Sequence, residues 1–306
     1  MTAAVKIHPT PDAAPGARSH PHAVAWCAGI AGVALAWWLT RGLPGWVAML
    51  AIAATEWIAL KLATLRGHAA RAGAARIAGY LAAWPGMNAR AFFGETAARK
   101  PGIGEGAFAT AKIAFGLVLT GWAVVHAHDG REMLVAWIGV VGIIFTLHFG
   151  LFHAASWAWR AAGVDAPPIM RAPIMATSLT ELWGTRWNLA FADAARRFIV
   201  TPLARRIGAR SAGLAVFAVS GLVHETVISL PARGGWGGPT SYFLLHAAGI
   251  AVERSALGIR LGLGRGVRGW LWTFVVAVAP LPLLFHAPFA RNVIVPFFRD
   301  LAALLP

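Results

Sequence analysis

Charge is what this sequence has least of. Asp, Glu, Lys and Arg together make up 13% of its 306 residues, about half the roughly 25% of an average soluble domain. So little charge cannot cover the water-facing surface of a chain this long, which excludes an ordinary soluble globular protein. Acid is scarcer still, with 12 Asp and Glu against 27 Lys and Arg, for a formal charge of +15. That excess does not read as a nucleic-acid footprint, because the basic residues lie in short stretches between apolar runs rather than on a domain with its own core. Cysteine is nearly absent, and a single Cys27 excludes an intrachain disulfide. No internal repeat is present, which weighs against transporters built from paired, interrupted helices.

What fills the chain is apolar. Hydrophobic residues reach 58% and the mean hydropathy is +0.62. A spanning helix needs about 20 mostly apolar residues, and seven stretches qualify: 23–40, 44–62, 108–127, 133–159, 211–230, 239–252 with its flanks, and 270–289. The expected fold is therefore an all-α, polytopic membrane protein of about seven spans (six to eight). Residues 1–22, with four prolines and three histidines, read as a disordered cytoplasmic tail, and 23–306 as one integral membrane domain. With the N-terminus inside, 20 of the 27 Lys and Arg fall on the cytoplasmic side and 5 opposite, as the positive-inside rule requires. Lys61 and Lys112 fall near cytoplasmic span ends, where they are expected to snorkel. The bias to Ala, Gly and Arg over Lys points to a GC-rich bacterial genome and hence an inner membrane.

Two cytoplasmic segments are amphipathic. Over 178–200, Trp183, Trp187, Phe191, Ala194 and Phe198 recur at helical spacing, and Ser178 with Glu181 has capping-box spacing. This predicts a helix lying in the membrane interface, its tryptophans at headgroup depth. The same is expected of 80–93 and 293–305. The runs Gly102-x-Gly104-x-Gly106 and Gly262-x-Gly264-x-Gly266 lack a strand–turn–helix setting and read as loops.

Few ionisable residues fall inside the spans: Glu56, His126, His148, His153, His224, Glu225, His246 and His286. Each is a functional candidate because ionisable groups at membrane depth are costly, although a neutral histidine also serves simply to bond a carbonyl. Metal-binding pairs need i, i+4 spacing on one helical face, and neither 148/153 nor 126/128 has it. His224 stands apart. It sits deep in an apolar span within Val219-Ser-Gly-Leu-Val-His-Glu225, where shielding from water favours the neutral imidazole of a general base. Gly221 leaves room for another chain or a substrate. Glu225 either orients the ring or faces another helix; neighbours i and i+1 point to different faces. Asn188, next to Trp187, offers an amide donor and acceptor, though taken alone it reads more readily as a surface residue.

These motifs resemble those of the membrane-bound O-acyltransferase family, in its wax synthase branch. The matching pieces, in order, are Trp84-Pro-Gly-Met87, Leu147-His-Phe-Gly150, Pro173-Ile-Met-Ala-Thr-Ser-Leu179, Leu182-Trp-Gly-Thr-Arg-Trp-Asn188, Val219-Ser-Gly-Leu-Val-His-Glu225, and His246 followed by Val252-Glu253. They extend over about 75–255. The pair Trp-Gly-x-Arg-Trp-Asn and Ser-Gly-x-x-His-Glu is the specific part. Thr185 departs from the pattern, since many relatives carry a second Arg there; so does Asn88-Ala-Arg-Ala, where relatives often have an acid and a Pro.

The resemblance implies transfer of a fatty acyl group from a thioester, acyl-coenzyme A, to a lipophilic alcohol in an enclosed tunnel. His224 is the implied catalytic base and Asn188 the second catalytic residue. Trp183, Arg186, Trp187, Ser220, Glu225 and His246 are implied to contact substrate, and Arg186, Arg196 and Arg197 to attract the phosphates of coenzyme A. Those arginines serve equally as topology determinants on anionic lipid. No metal or prosthetic group is required, and self-association is left open. Diacylglycerol, a sterol, a natural product or a cell-envelope hydroxyl are alternative acceptors. A transporter is the alternative of another class.

Overall fold

The computed structural model describes residues 20–68, 72–96 and 98–305, with side chains from Trp26 onward. The expected tail therefore lies outside the described residues, except that His20–His22 already belong to the first helix. Among the described residues there is no strand. The helices are α1 (His20–Thr40), α2 (Gly45–Leu65), α3 (Ala74–Ala82), α4 (Ala89–Phe93), α5 (Ile103–Val125) and α6 (Glu132–Ala161). A short turn α7 (179–186) follows, then α8 (Leu189–Ala232), α9 (Gly238–Glu253), α10 (Ala256–Leu261), α11 (Gly266–Leu284) and α12 (287–302).

Among the described residues, five helices are long and apolar enough to cross a membrane: α2, α5, α6, α8 and α11. Trp26–Thr40 of α1 forms a shorter apolar helix. Their outward faces carry large apolar side chains, such as Leu35, Trp38 and Leu39 on α1, Leu117, Val118 and Val125 on α5, and Val267 and Val275 on α11. In water this surface would be untenable as a contiguous patch; against lipid tails it costs nothing. The protein is an integral membrane protein, built of helices because lipid satisfies no backbone hydrogen bond.

Each of the seven expected spans coincides with a helix, but α9 has only 16 residues and α11, though long enough to cross, ends at Leu284, so 285–289 of the last expected span lie beyond it. α6 runs 30 residues, longer than one span needs, with a π turn at Phe145–Leu151. α8 runs 44 residues, bent at Gly208 (φ 78°) and widened by π turns at Arg196–Val200 and Glu225–Ser229.

Lipid offers no hydrophobic drive between helices, so close packing of small residues has to hold them. α5 and α6 meet where a Cβ on Gly116 would strike Thr146 and one on Gly142 would fall 2.7 Å from the Thr120 hydroxyl. Two buried apolar groups result. One gathers Val135, Val140, Phe217, Phe243, Ile294 and Phe298 from α6, α8, α9 and α12. The other gathers Tyr80, Trp84, Met87, Phe92, Ile169 and Ala190.

Several expectations give way here. The amphipathic 178–200 stretch is not one helix: it breaks at Asn188, whose φ of 42° is left-handed, and its second half runs on into α8. Residues 80–93 form a turn between two short helices, with Tyr80 and Phe92 fully buried instead of interfacial. Within 293–305, Val293, Val295 and Phe298 are buried, on an element that packs against α2, α5 and α6. Gly104 and Gly106 are helical, while Gly262, Gly264 and Gly266 do form a loop of positive φ. Lys61 does not snorkel. It is 1% exposed, donating to the Gly86 carbonyl at 2.6 Å with its ammonium 3.7 Å from the centre of the Tyr80 ring. Lys112 is held at 2.6 Å from His153 Nδ1.

Candidate active site

The separated motifs meet at α7. Ser178 caps its start, accepting from the Glu181 amide at 2.9 Å. The Glu181 carboxylate turns back to the Thr177 amide (2.8 Å) and hydroxyl (3.1 Å), one residue earlier than a capping box requires. Burial alone would raise the Glu181 carboxyl; the Thr177 amide and Arg186 outweigh it and hold the group below the usual carboxylate range. Glu253, at the far end of α9, accepts from the Leu179 amide (2.7 Å) and the Thr180 hydroxyl (3.1 Å). A carboxylate at the N–H-rich start of α7 is favoured by the partial positive charge there. The Pro173–Leu179 and Val252-Glu253 motifs are thereby two halves of one anchor.

From α7, Trp183 points into the protein. Its ring contacts Phe217 (5.8 Å), Phe243 (5.7 Å), His246 (5.1 Å) and Trp187 (6.3 Å). Trp187 in turn meets Phe149 of the Leu147–Gly150 motif at 5.9 Å. The two tryptophans expected as headgroup anchors are thus the centre of an aromatic box.

His224 ends the regular part of α8, just before a π turn, a wider geometry found often at functional positions. Its Nδ1 lies 2.7 Å from the Ser220 carbonyl. A carbonyl only accepts, so Nδ1 carries the hydrogen and Nε2 is left with a bare lone pair. The ring packs on Phe243 at 4.5 Å, and the residue keeps partial exposure. His246 repeats the pattern, with Nδ1 2.8 Å from the Tyr242 carbonyl. It is fully buried, however, and among the described residues its Nε2, like the Trp183 indole nitrogen, has no hydrogen-bond partner. The two imidazoles are bridged by Phe243 and Trp183.

Of the two readings for Glu225, the structure shows the helix-facing one. Its Oε1 accepts from the Gly237 amide (3.0 Å), the Thr240 amide (3.1 Å) and the Thr240 hydroxyl (2.9 Å), capping the start of α9. Gly221 likewise makes room for a chain, since a Cβ there would fall 2.7 Å from Thr240 Cα. Ser220 is buried and serves His224 through its backbone carbonyl.

Asn188 sits in the left-handed break between α7 and α8. Its side-chain oxygen accepts from the Phe191 amide at 3.2 Å, and its own amide meets Met170 Sδ at 3.2 Å. Among the described residues no hydrogen bond joins Asn188 to His224; Trp187 and Trp183 follow one another between Asn188 and the His224 group. Arg186 is fully engaged. It forms a 2.7 Å ion pair with Glu181 and donates to the carbonyls of Arg171 (3.2 Å) and Ala172 (3.3 Å). These bonds lock the 171–172 loop against α7.

A cavity of about 250 Å³ opens behind α7, lined by Trp84, Met87, Asp165, Arg171, Thr185, Asp193 and Arg196 among others. None of its lining residues belongs to the His224 group. The wall between the two is α7 itself, with Trp183 facing the histidines and Gly184 and Thr185 facing the cavity. Arg171, Asp165 and Asp193 carry no spacing signal in the sequence and come together only through the 165–171 loop.

A membrane-embedded helical bundle with a histidine whose Nε2 lone pair is left bare is the setting in which the comparisons with known proteins fall. Residues 166–245 match the model of the membrane bound O-acyl transferase family. The chain is similar to long-chain-alcohol O-fatty-acyltransferases. It is 33% identical over 159 residues to the long-chain-alcohol O-fatty-acyltransferase of Simmondsia chinensis (45% of each chain). It is 32% identical over 144 residues to the probable long-chain-alcohol O-fatty-acyltransferase 7 of Arabidopsis thaliana (42% of each). A 28% match over 103 residues joins it to acyl-CoA–sterol O-acyltransferase 1 of the same plant (31% and 30%). The chain thus spans less than half of the length of the curated relatives it matches.

Proposed function

We propose that this protein transfers a fatty acyl group from acyl-coenzyme A to the hydroxyl of a long-chain alcohol, forming a wax-type ester. The observation that carries the reading is the bare Nε2 of His224, presented by the Nδ1 bond to the Ser220 carbonyl inside a family-matched segment. In this reading Nε2 takes the proton of the acceptor hydroxyl as its oxygen bonds to the thioester carbonyl carbon. The Asn188 side-chain nitrogen, left over once its oxygen caps α8, positions the acyl group from the far side of Trp187 and Trp183. When the carbon–sulfur bond breaks, the thiolate recovers the proton from His224. Trp183, Trp187 and His246 wall the acyl path and exclude water.

The 250 Å³ cavity receives the coenzyme A end. Arg171 and Arg196, which line it, attract its phosphates, while Arg186 beside them is largely spent on Glu181 and the 171–172 carbonyls. With residues 23–306 acting as one unit of seven spans and the N-terminus cytoplasmic, this cavity faces the cytoplasm and a closed tunnel leads past α7 to the bilayer. The bacterial inner membrane remains the proposed location.

Purified protein in nanodiscs, given labelled palmitoyl-coenzyme A and a panel of hexadecanol, a sterol and diacylglycerol, is expected to esterify hexadecanol fastest. Ester on the sterol or diacylglycerol alone would reassign the acceptor. No ester on any would remove the proposal. Arg171→Ala with Arg196→Ala is expected to raise KM for acyl-coenzyme A about tenfold, the loss of two charge-assisted contacts worth roughly 1.4 kcal/mol together. The defect should shrink at high salt, where screening already weakens those contacts in the wild type. An unchanged KM would place the phosphates elsewhere.

A further inference from the structure

Glu56, on the lipid-exposed helix α2, is an ionisable side chain with no part in the site so far. It lies 11 residues into α2, roughly 17 Å along the helix at 1.5 Å per residue, so it sits near mid-membrane. Its Oε1 is 2.5 Å from the Thr226 hydroxyl oxygen. The same hydroxyl oxygen is 2.6 Å from the Val223 carbonyl. Lys61, the nearest cation along α2, is spent on the Gly86 carbonyl, and among the described residues no cation pairs with Glu56.

Protons can be counted across these three oxygens. Both contacts have the length of a good O–H···O bond, and each needs one hydrogen between its oxygens. The Val223 carbonyl has none, and a threonine hydroxyl has only one. If Thr226 gives its hydrogen to Val223, the second must come from Glu56. If it gives it to Glu56, two bare oxygens face each other at 2.6 Å, which is repulsive. A carboxylate at this depth would moreover be an unpaired charge answered by a single hydroxyl, the most expensive state available to it.

We propose that Glu56 is a neutral carboxylic acid whose hydrogen completes a chain from Glu56 through Thr226 to the Val223 carbonyl. This makes Glu56 a positioning residue for His224. Val223 immediately precedes His224, and Thr226 lies in the π turn that follows it. The chain therefore clamps both sides of the histidine to α2, where the backbone has left α-helical registry and is least able to hold the ring by itself. The inference rests on His224 as the base; the protonation of Glu56 does not.

Infrared difference spectra between wild type and Glu56→Gln in nanodiscs test the proton directly. The expected result is the carbonyl stretch of a protonated carboxylic acid at neutral pH, shifted in D2O. Carboxylate bands in its place would overturn the proposal. Turnover tests the clamp. Glu56→Gln, whose amide N–H donates to Thr226 in the same way, and Thr226→Ser should keep near-wild-type kcat. Glu56→Ala and Thr226→Val should lower kcat about tenfold with KM unchanged, a loss of roughly 1.4 kcal/mol. Full turnover by both of the latter variants would leave no positioning role. Should the wild type esterify no alcohol, the acyl-transfer reading fails separately. The infrared band still decides the protonation, and the histidine ring nitrogen resonance absent from His224→Gln decides the clamp by whether it moves in Thr226→Val.

Discussion

His224→Ala should abolish measurable ester formation, with kcat down about 10²–10⁴-fold, while KM for acyl-coenzyme A stays near the wild-type value. The size follows from what is removed. Among the described residues the imidazole makes no other hydrogen bond than the one from Nδ1 to the Ser220 carbonyl, so its loss frees one backbone carbonyl and little else of the fold. What disappears is the only partly exposed Nε2 lone pair of the aromatic box. His224→Gln should be as inactive, because an amide fills the space and bonds the carbonyl but does not accept a proton at neutral pH. The sharper comparison is with His246→Ala. His246 has the same tautomer on the same i−4 carbonyl geometry, yet it is 0% exposed between the Trp183 and Tyr242 rings, and a hydroxyl has no route to it without moving a tryptophan. Its removal should lower stability more than turnover. A variant pair with the opposite ranking, His246→Ala inactive and His224→Ala active, would exchange the two roles.

Much of this arrangement is legible in the sequence, and the residues show why. Apolar runs report their own embedding because lipid rejects everything else, so each expected span reappears as a helix. Gly221 and the His224 segment are legible for the same reason: polar or missing side chains in an apolar run are conspicuous. What the sequence hides is where an amphipathic face points. The Trp183, Trp187 and Phe198 spacing is helical whether the face meets lipid or protein. Here a left-handed Asn188 and two π turns rotate it inward, and nothing in side-chain periodicity announces a φ of 42°. Partners across the chain are hidden as well. Glu225 beside His224 looks like a ring-orienting acid until α9 arrives with three donors. Arg186 looks free for phosphate until Glu181 and two carbonyls of the 171–172 loop close on it. Lys61 shows the same limit, because a lysine near a span end snorkels by default and only the Trp84–Met87 turn folding over it makes it a buried strut.

The Glu225 cap leads to the second large effect. Glu225→Ala should destabilise the protein by about 2–5 kcal/mol, seen as early unfolding in nanodiscs and loss of monodispersity in detergent. Three donors depend on one oxygen, and each buried donor left alone costs about 1–3 kcal/mol, partly relieved by rearrangement at the α9 terminus. The loss also reaches the chemistry. α9 supplies Phe243 and His246 to the aromatic box, and Glu225 is the bond that holds the start of α9 to the turn after His224. Residual folded protein should therefore show a kcat defect as well as lower yield. Glu225→Gln separates charge from geometry. Oε1 does all the accepting, and Oε2 has no partner among the described residues, so the glutamine oxygen can take the same three bonds with its NH2 group in the empty position. Gln should recover most of the stability and turnover. Glutamine as damaging as alanine would mean that the negative charge at the α9 N-terminus, and not the three hydrogen bonds, holds the two helices together.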